Sequence, residues 1–201
     1  MNIVEDIRKK EDFLNLMKVF IPLTWQTRPM IQRIKDYYDW PITMVEVGSD
    51  LGNNAKNILK QVPIEKLYLV DPYFDGYADK KGDVRFIYAQ NNLKPYQKTI
   101  EFIRATSEEA TQRFEDESID AIYIDGNHKY EYVLQDINLW LPKVRTGGFI
   151  GGHDFAGHTQ GVIQAVTEYV NEHDLWDKLE SGGTDWWWQK GEGNCSNCSL
   201  Q

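Results

Sequence analysis

The sequence predicts an α/β protein whose sheet is mostly parallel and covered by helices on both faces. Three observations predict it. Short apolar runs alternate strictly with amphipathic helical stretches between residues 44 and 170. The first run, Met44–Val47, passes through a turn bracketed by Gly48 and Gly52 straight into a helix. Three of the apolar runs end in an acid: Asp71, Asp125 and Asp154. Parallel strands need crossover connections, which are usually helical, and helices on both faces bury both sides of the sheet. Ligands of such sheets bind at the carboxyl ends of the strands. The three acids are therefore expected on one rim.

Each element has its own signal. Residues 1–40 read as helical, with Ile3, Ile7, Phe13, Leu14 and Met17 at helical spacing and breaks at Pro22 and Pro29. Met44, Val45 and Val47 end the first strand, and Glu46 is the lone charge in it, costly to bury without a partner. Asn53 is the expected N-cap of a helix carrying Ala55, Ile58, Leu59 and Val62 on one face. Lys66–Asp71 is a second strand, residues 72–83 a polar loop, and residues 84–92 a helix. Thr99–Ala105 is a third strand, with a short helix through Ala110 and Phe114 after it. Ile119–Asp125 is the fourth. Tyr130, Val133, Leu134, Ile137 and Leu141 mark the apolar face of the next helix. Gly147–Gly152 is a fifth strand running into His153 and Asp154, with a helix through Val162, Ala165, Val166 and Tyr169 behind it. Strands near 175–180 and 184–189 are expected to pair as a hairpin across Ser181–Gly183, with Trp186, Trp187 and Trp188 alternately packing and facing out.

At 201 residues the chain suits one domain with a single substantial core. No apolar run approaches the roughly 20 residues that cross a bilayer. The N-terminal stretch lacks a signal peptide's apolar centre, so a cytoplasmic protein without a membrane partner is expected. A formal net charge of −9 argues against a large nucleic-acid footprint but not against a small substrate. Cys195 and Cys198 have zinc-like spacing, yet two thiols make half a site, and a free tail is favoured.

The segment Val45–Gly52 (VEVGSDLG), the acid Asp71 after LYLV, and the run Ile122–Asp154 resemble a class I S-adenosylmethionine-dependent methyltransferase. The second run, with IDGNHKYE and GGFIGGHD, is similar to a subgroup that includes sugar and small-molecule O-methyltransferases. The resemblance implies a Rossmann-like three-layer α/β/α sandwich over residues 42–190. Its sheet has seven strands, the last antiparallel. Residues 1–41 then form a helical lid or extension, and residues 191–201 a flexible tail.

The resemblance also implies site residues. Glu46, Gly48, Ser49 and Gly52 would hold the methionine end of S-adenosylmethionine, Asp71 the ribose hydroxyls, and Thr106 and Ser107 the adenine, with Asp125 also counted among the cofactor-binding and catalytic residues. A side chain at Gly48 is expected to intrude into the cofactor's space. Metal-dependent members hold a divalent ion at the ends of the fourth and fifth strands, here Asp125 and Asp154, with magnesium or manganese as the expected ion. They often place a base three residues past the first ligand, which is His128. His153 departs from the subgroup's usual acid. It is open whether it is a ligand, a partner of the ligands, a base in a metal-free site, or a group bonded to backbone.

Tyr73, Phe74 and Tyr77 could line the rim, Trp25, Arg28 and Met30 either form a lid or pack, and His158 either faces substrate or does not. The expected acceptor is a small hydroxylated molecule, a sugar or a phenol, and a homodimer is the expected assembly if the chain self-associates. Two rivals come from other classes. A nucleotide-dependent oxidoreductase would want G-x-G-x-x-G, whereas Gly48 and Gly52 lie four apart behind an acid. A non-catalytic cofactor-binding or interaction module would be indifferent to His128 and Asp125.

Overall fold

The computed structural model describes residues 28–75 and 82–191. The expectations for Ile3, Ile7, Phe13, Leu14, Met17, Pro22, Trp25, Tyr77, Cys195 and Cys198 lie outside the described residues.

Helix α1 (Pro29–Tyr37) leads into β1 (Ile42–Val47), α2 (Asn53–Gln61) and β2 (Ile64–Val70). Helix α3 (Gly82–Leu93), β3 (Ile100–Ile103), α4 (Ser107–Thr111) and β4 (Ile119–Ile124) come next. The chain then runs through α5 (Tyr130–Trp140), β5 (Val144–Gly152), α6 (Gln160–Glu172), β6 (Glu180–Gly182) and β7 (Asp185–Gln189). The seven strands form one sheet in the order β3-β2-β1-β4-β5-β7-β6. β1 to β5 pair in parallel, and β7 runs antiparallel between β5 and β6. The predicted α/β sandwich, mostly parallel with an antiparallel end, is the fold observed.

The period-two alternation of the strands divides the core. Val45 and Val47 face a layer with Ile122, Ile124, Val133, Ile137, Val162 and Val166, which covers one side with α5 and α6. Met44, Leu67 and Leu69 face the other side with Met30, Ile31, Ile34, Ala55 and Ile58 of α1 and α2. Chain order reverses between β2-β1 and β1-β4, so the carboxyl ends of β1 and β4 border a crevice.

Three local expectations need correction. The cap of α2 is Gly52 in the left-handed region (φ +74), not Asn53, which begins the helix. A Cβ on Gly52 would stand 2.7 Å from Leu93 Cδ1, so close packing of α3 requires glycine there. The hairpin is also shorter than its pattern suggests: only Glu180–Gly182 pairs with β7, and the turn falls at Gly183-Thr184. Finally, all three tryptophans are buried. Trp186 and Trp188 pack on one face with Val166 and Tyr169 of α6, and Trp187 on the other with Met30 and Ile31 of α1, so both faces of β7 are covered. Met30 is fully buried in the sandwich, so it packs rather than forming a lid.

Candidate active site

The first turn is built by close approach. Gly48 has φ +85, and a Cβ there would meet the Asp125 carbonyl oxygen at 2.2 Å and Gly126 Cα at 2.6 Å. The space beside Gly48 is thus filled by the end of β4, which corrects the expectation that a side chain would enter cofactor space. Asp125 N–H donates to Val47 O at 2.8 Å and ties the two strand ends together. Past the turn, the Asp50 and Tyr73 N–H groups donate to the two oxygens of Asp71, at 2.9 and 2.8 Å. Burial raises the Asp71 pKa, and these two bonds oppose it. Ser49 Oγ lies 3.2 Å from the Tyr73 hydroxyl, which donates to Asp50 O at 2.9 Å.

Glu46 is buried beneath this turn, where Asn54 Nδ2 donates to its Oε1 at 2.8 Å. Glu46 Oε2 and Asn54 Oδ1 are buried with no partner among the described residues. Burial pushes the Glu46 carboxyl up to about 8, against the Asn54 bond. Asn54 is a polar partner that the helical pattern alone did not single out.

Thr106 caps α4: its hydroxyl accepts from Glu109 N–H, and Glu109 returns the bond to Thr106 N–H. Ser107 Oγ accepts from Trp140 Nε1 at 2.6 Å and also bonds Asp136. Burial pushes Asp136 up to about 6, with the Ser107 bond opposing it. A cleft of about 910 Å³ opens over this rim, lined among others by Gly48, Asp71, Ser107, Asp125, His128 and Asp136. Glu46, Ser49 and Gly52 lie outside that lining, as do His153 and Asp154. Phe74 stands 65% exposed at its edge, while Tyr73 is buried.

The acids of β4 and β5 meet as their strand pairing requires, since neighbouring parallel strands lie about 4.8 Å apart. Asp154 adopts φ +60, a strained conformation for a residue with a Cβ, and its carbonyl accepts from the Thr159 hydroxyl. His128 Nε2 stands 2.9 Å from Asp154 Oδ2 and 3.9 Å from Asp125 Oδ1. Ligand atoms of Asp125, His128 and Asp154 all lie within 4.8 Å of one another. His153 Nδ1 faces the same carboxylates, at 3.2 Å from Asp154 and 3.6 Å from Asp125. His158 is largely exposed, 3.9 Å from Asp154 Oδ1.

Charge follows this geometry. Burial works against an imidazolium at His153, but its bonds to Asp125 and Asp154 outweigh burial and raise it to about 9. The hydrogen bond to Asp154 raises His128 too. Burial would raise Asp154, yet the two histidines pull it well below the usual carboxylate range.

A second tier lies behind. Asp185, fully buried, accepts from the Tyr123 hydroxyl at 2.7 Å and from Met30 N–H at 3.1 Å. Arg28 stands between Asp185 and Asp125, 3.8 and 3.9 Å from their oxygens. Sequence reasoning missed Asp185 and Tyr123. The available signal was the one used for Glu46, a single acid in a mostly apolar strand.

Residues 45–155 match the model of a family described as a methyltransferase domain. The uncharacterized protein R132 of Acanthamoeba polyphaga mimivirus is 28% identical over 137 residues, covering 64% of this chain and 59% of that protein. The uncharacterized protein y4gI of Sinorhizobium fredii is 29% identical over 119 residues, covering 57% of this chain and 13% of that one. The chain therefore spans a little under two thirds of the first relative's length and a small part of the second's.

Among solved structures, the O-methyltransferase NovP superposes with a TM-score of 0.59 at 20% identity, covering 81% of this chain and 80% of that one. The MycE methyltransferase of the mycinamycin pathway, solved with Mg, SAH and mycinamycin VI, gives 0.56 at 17% identity, covering 90% and 53%. An rRNA methylase from Streptococcus thermophilus gives 0.60 at 16% identity, covering 83% and 98%. At these identities the likeness is one of fold.

Proposed function

The chain belongs to the methyltransferase-domain family, and we infer that it is an S-adenosylmethionine-dependent O-methyltransferase acting on a hydroxyl of a small molecule, a sugar or a phenol. On this reading Asp125, His153 and Asp154 hold a divalent ion and His128 is the base. One observation carries it: the Gly48 turn, Asp71 and the Asp125–His128–Asp154 cluster meet at one end of the sheet. The net charge of −9 weighs against an RNA acceptor.

The residues fit the cofactor. Glu46 Oε2 and Asn54 Oδ1 are buried acceptors with no donor among the described residues, which suits an ammonium group. Asp71 offers a carboxylate to the cleft, suited to a pair of ribose hydroxyls, and Thr106 and Ser107, which line the same cleft, would flank the adenine. When bound, the cofactor supplies an electrophilic methyl group on sulfur. The assigned donor set, the Asp125 and Asp154 carboxylates with the His153 imidazole, suits a divalent cation. When bound, the ion supplies Lewis acidity toward an acceptor hydroxyl. Asp125 and Asp154 hold the charge of the site, and His128, its Nε2–H bonded to Asp154, takes the acceptor's proton as methyl transfer proceeds.

Treatment with chelator is expected to abolish turnover, followed as S-adenosylhomocysteine release with a panel of sugars and phenols. Magnesium or manganese should restore it. Full turnover in chelator-treated protein would discard the ion while leaving His128 as base.

A proton balance tests the methionine end. With its pKa near 8, Glu46 is mostly protonated at neutral pH in the free protein, and binding an ammonium requires it ionised. Binding should thus release a proton, and affinity should rise between about pH 6 and pH 7.5. Calorimetry in buffers of different ionisation enthalpy measures that proton. Its absence would move the ammonium away from Glu46.

A further inference from the structure

The antiparallel hairpin ends directly behind the acid–histidine cluster, and one of its turn residues reaches into it. Thr184, beside Gly183 at φ +58, places Oγ1 2.6 Å from His153 Nε2. Its carbonyl accepts from Phe155 N–H at 2.9 Å, so one residue grips the chain on both sides of Asp154. His153 is thus held by one ring nitrogen, while the other, Nδ1, is aimed at Asp154 and Asp125 from 3.2 and 3.6 Å. We propose that Thr184 is a positioning residue that makes His153 a ligand through Nδ1 and so biases the site toward manganese over magnesium. This rests on reading the cluster as a metal site.

The argument is one of ring orientation. An imidazole ligates only through a nitrogen that carries no proton, and which nitrogen that is depends on the bond made by the other. In the ion-free protein Nδ1–H serves those two carboxylates; where an ion displaces that proton, Thr184 Oγ1 accepting from Nε2–H leaves the Nδ1 lone pair to the ion. Without the hydroxyl, no hydrogen bond among the described residues holds the proton on the far side. A nitrogen ligand in an otherwise oxygen set is poorly suited to magnesium and acceptable to manganese.

The test uses metal-stripped full-length protein without cofactor or acceptor, titrated calorimetrically with Mn²⁺ and with Mg²⁺. Wild-type protein should bind Mn²⁺ the more tightly. Thr184→Val, close to threonine in volume, should weaken Mn²⁺ binding about 10–100-fold, as loss of an outer partner of a ligand does, and should narrow the preference. Thr184→Ser should restore both. Wild-type affinity and preference in Thr184→Val would overturn the proposal. An independent check needs no variant: ¹⁵N shifts of His153 with Mg²⁺ bound should report the proton on Nε2, and a proton on Nδ1 would overturn it equally. Wild-type protein that binds neither ion would remove the metal reading and this inference together.

Discussion

His128→Ala should lower the rate of methyl transfer by about 10²–10⁴-fold, the usual worth of general-base help, with cofactor affinity little changed. His128 lines the cleft with a side chain 39% exposed, and its Nε2 faces Asp154 from 2.9 Å. It can therefore receive a proton from an acceptor in the cleft while Asp154 balances the charge gained. The hydrogen bond to Asp154 raises its pKa, so the free protein keeps this group protonated to higher pH than an ordinary histidine. A cation beside Asp154 would act the other way. The rate should rise with pH through this ionisation, and that limb should lie at lower pH when the ion is present. Undiminished turnover in His128→Ala would discard the base. A parallel loss of Mn²⁺ affinity would make His128 a ligand instead, a role its place in the compact cluster also allows.

Gly48→Val should damage the fold rather than only the cofactor site. The added Cβ would lie 2.2 Å from the Asp125 carbonyl oxygen, a backbone atom that cannot swing away, and φ is +85. A left-handed conformation costs a residue with a Cβ about 1–2 kcal/mol, and overpacking adds roughly 1–3 kcal/mol. A loss of about 2–5 kcal/mol is expected on adding these two costs. It should appear in urea unfolding as a lower midpoint with an unchanged slope. Native stability combined with lost cofactor binding would instead mean that Gly48 serves only to clear space for the ligand.

The helices and strands were legible because each buries one face, or alternates, with its own period. Leu67 and Leu69 on one layer against Val45 and Val47 on the other follow directly from period two. The three strand-end acids were legible for a related reason: parallel strands deliver their carboxyl ends to one side of the sheet. Turns were read less well. Asn53 looks like a cap by residue type, yet the cap is Gly52, because Leu93 of a helix 41 residues later leaves no room for a side chain.

What the sequence determined by itself is the layered α/β frame and the convergence of Asp71, Asp125 and Asp154, since both follow from local periodicity and strand direction. What only the tertiary structure decided is which groups touch at that rim. Thr184 behind His153, Asp185 and Arg28 behind Asp125, and the backbone of Asp125–Gly126 against Gly48 are contacts between segments far apart in the chain. Local patterns fix the direction of a strand and the face of a helix. They carry no information on which distant residue fills the space opposite, because that depends on how the sheet orders its strands and how tightly its layers close.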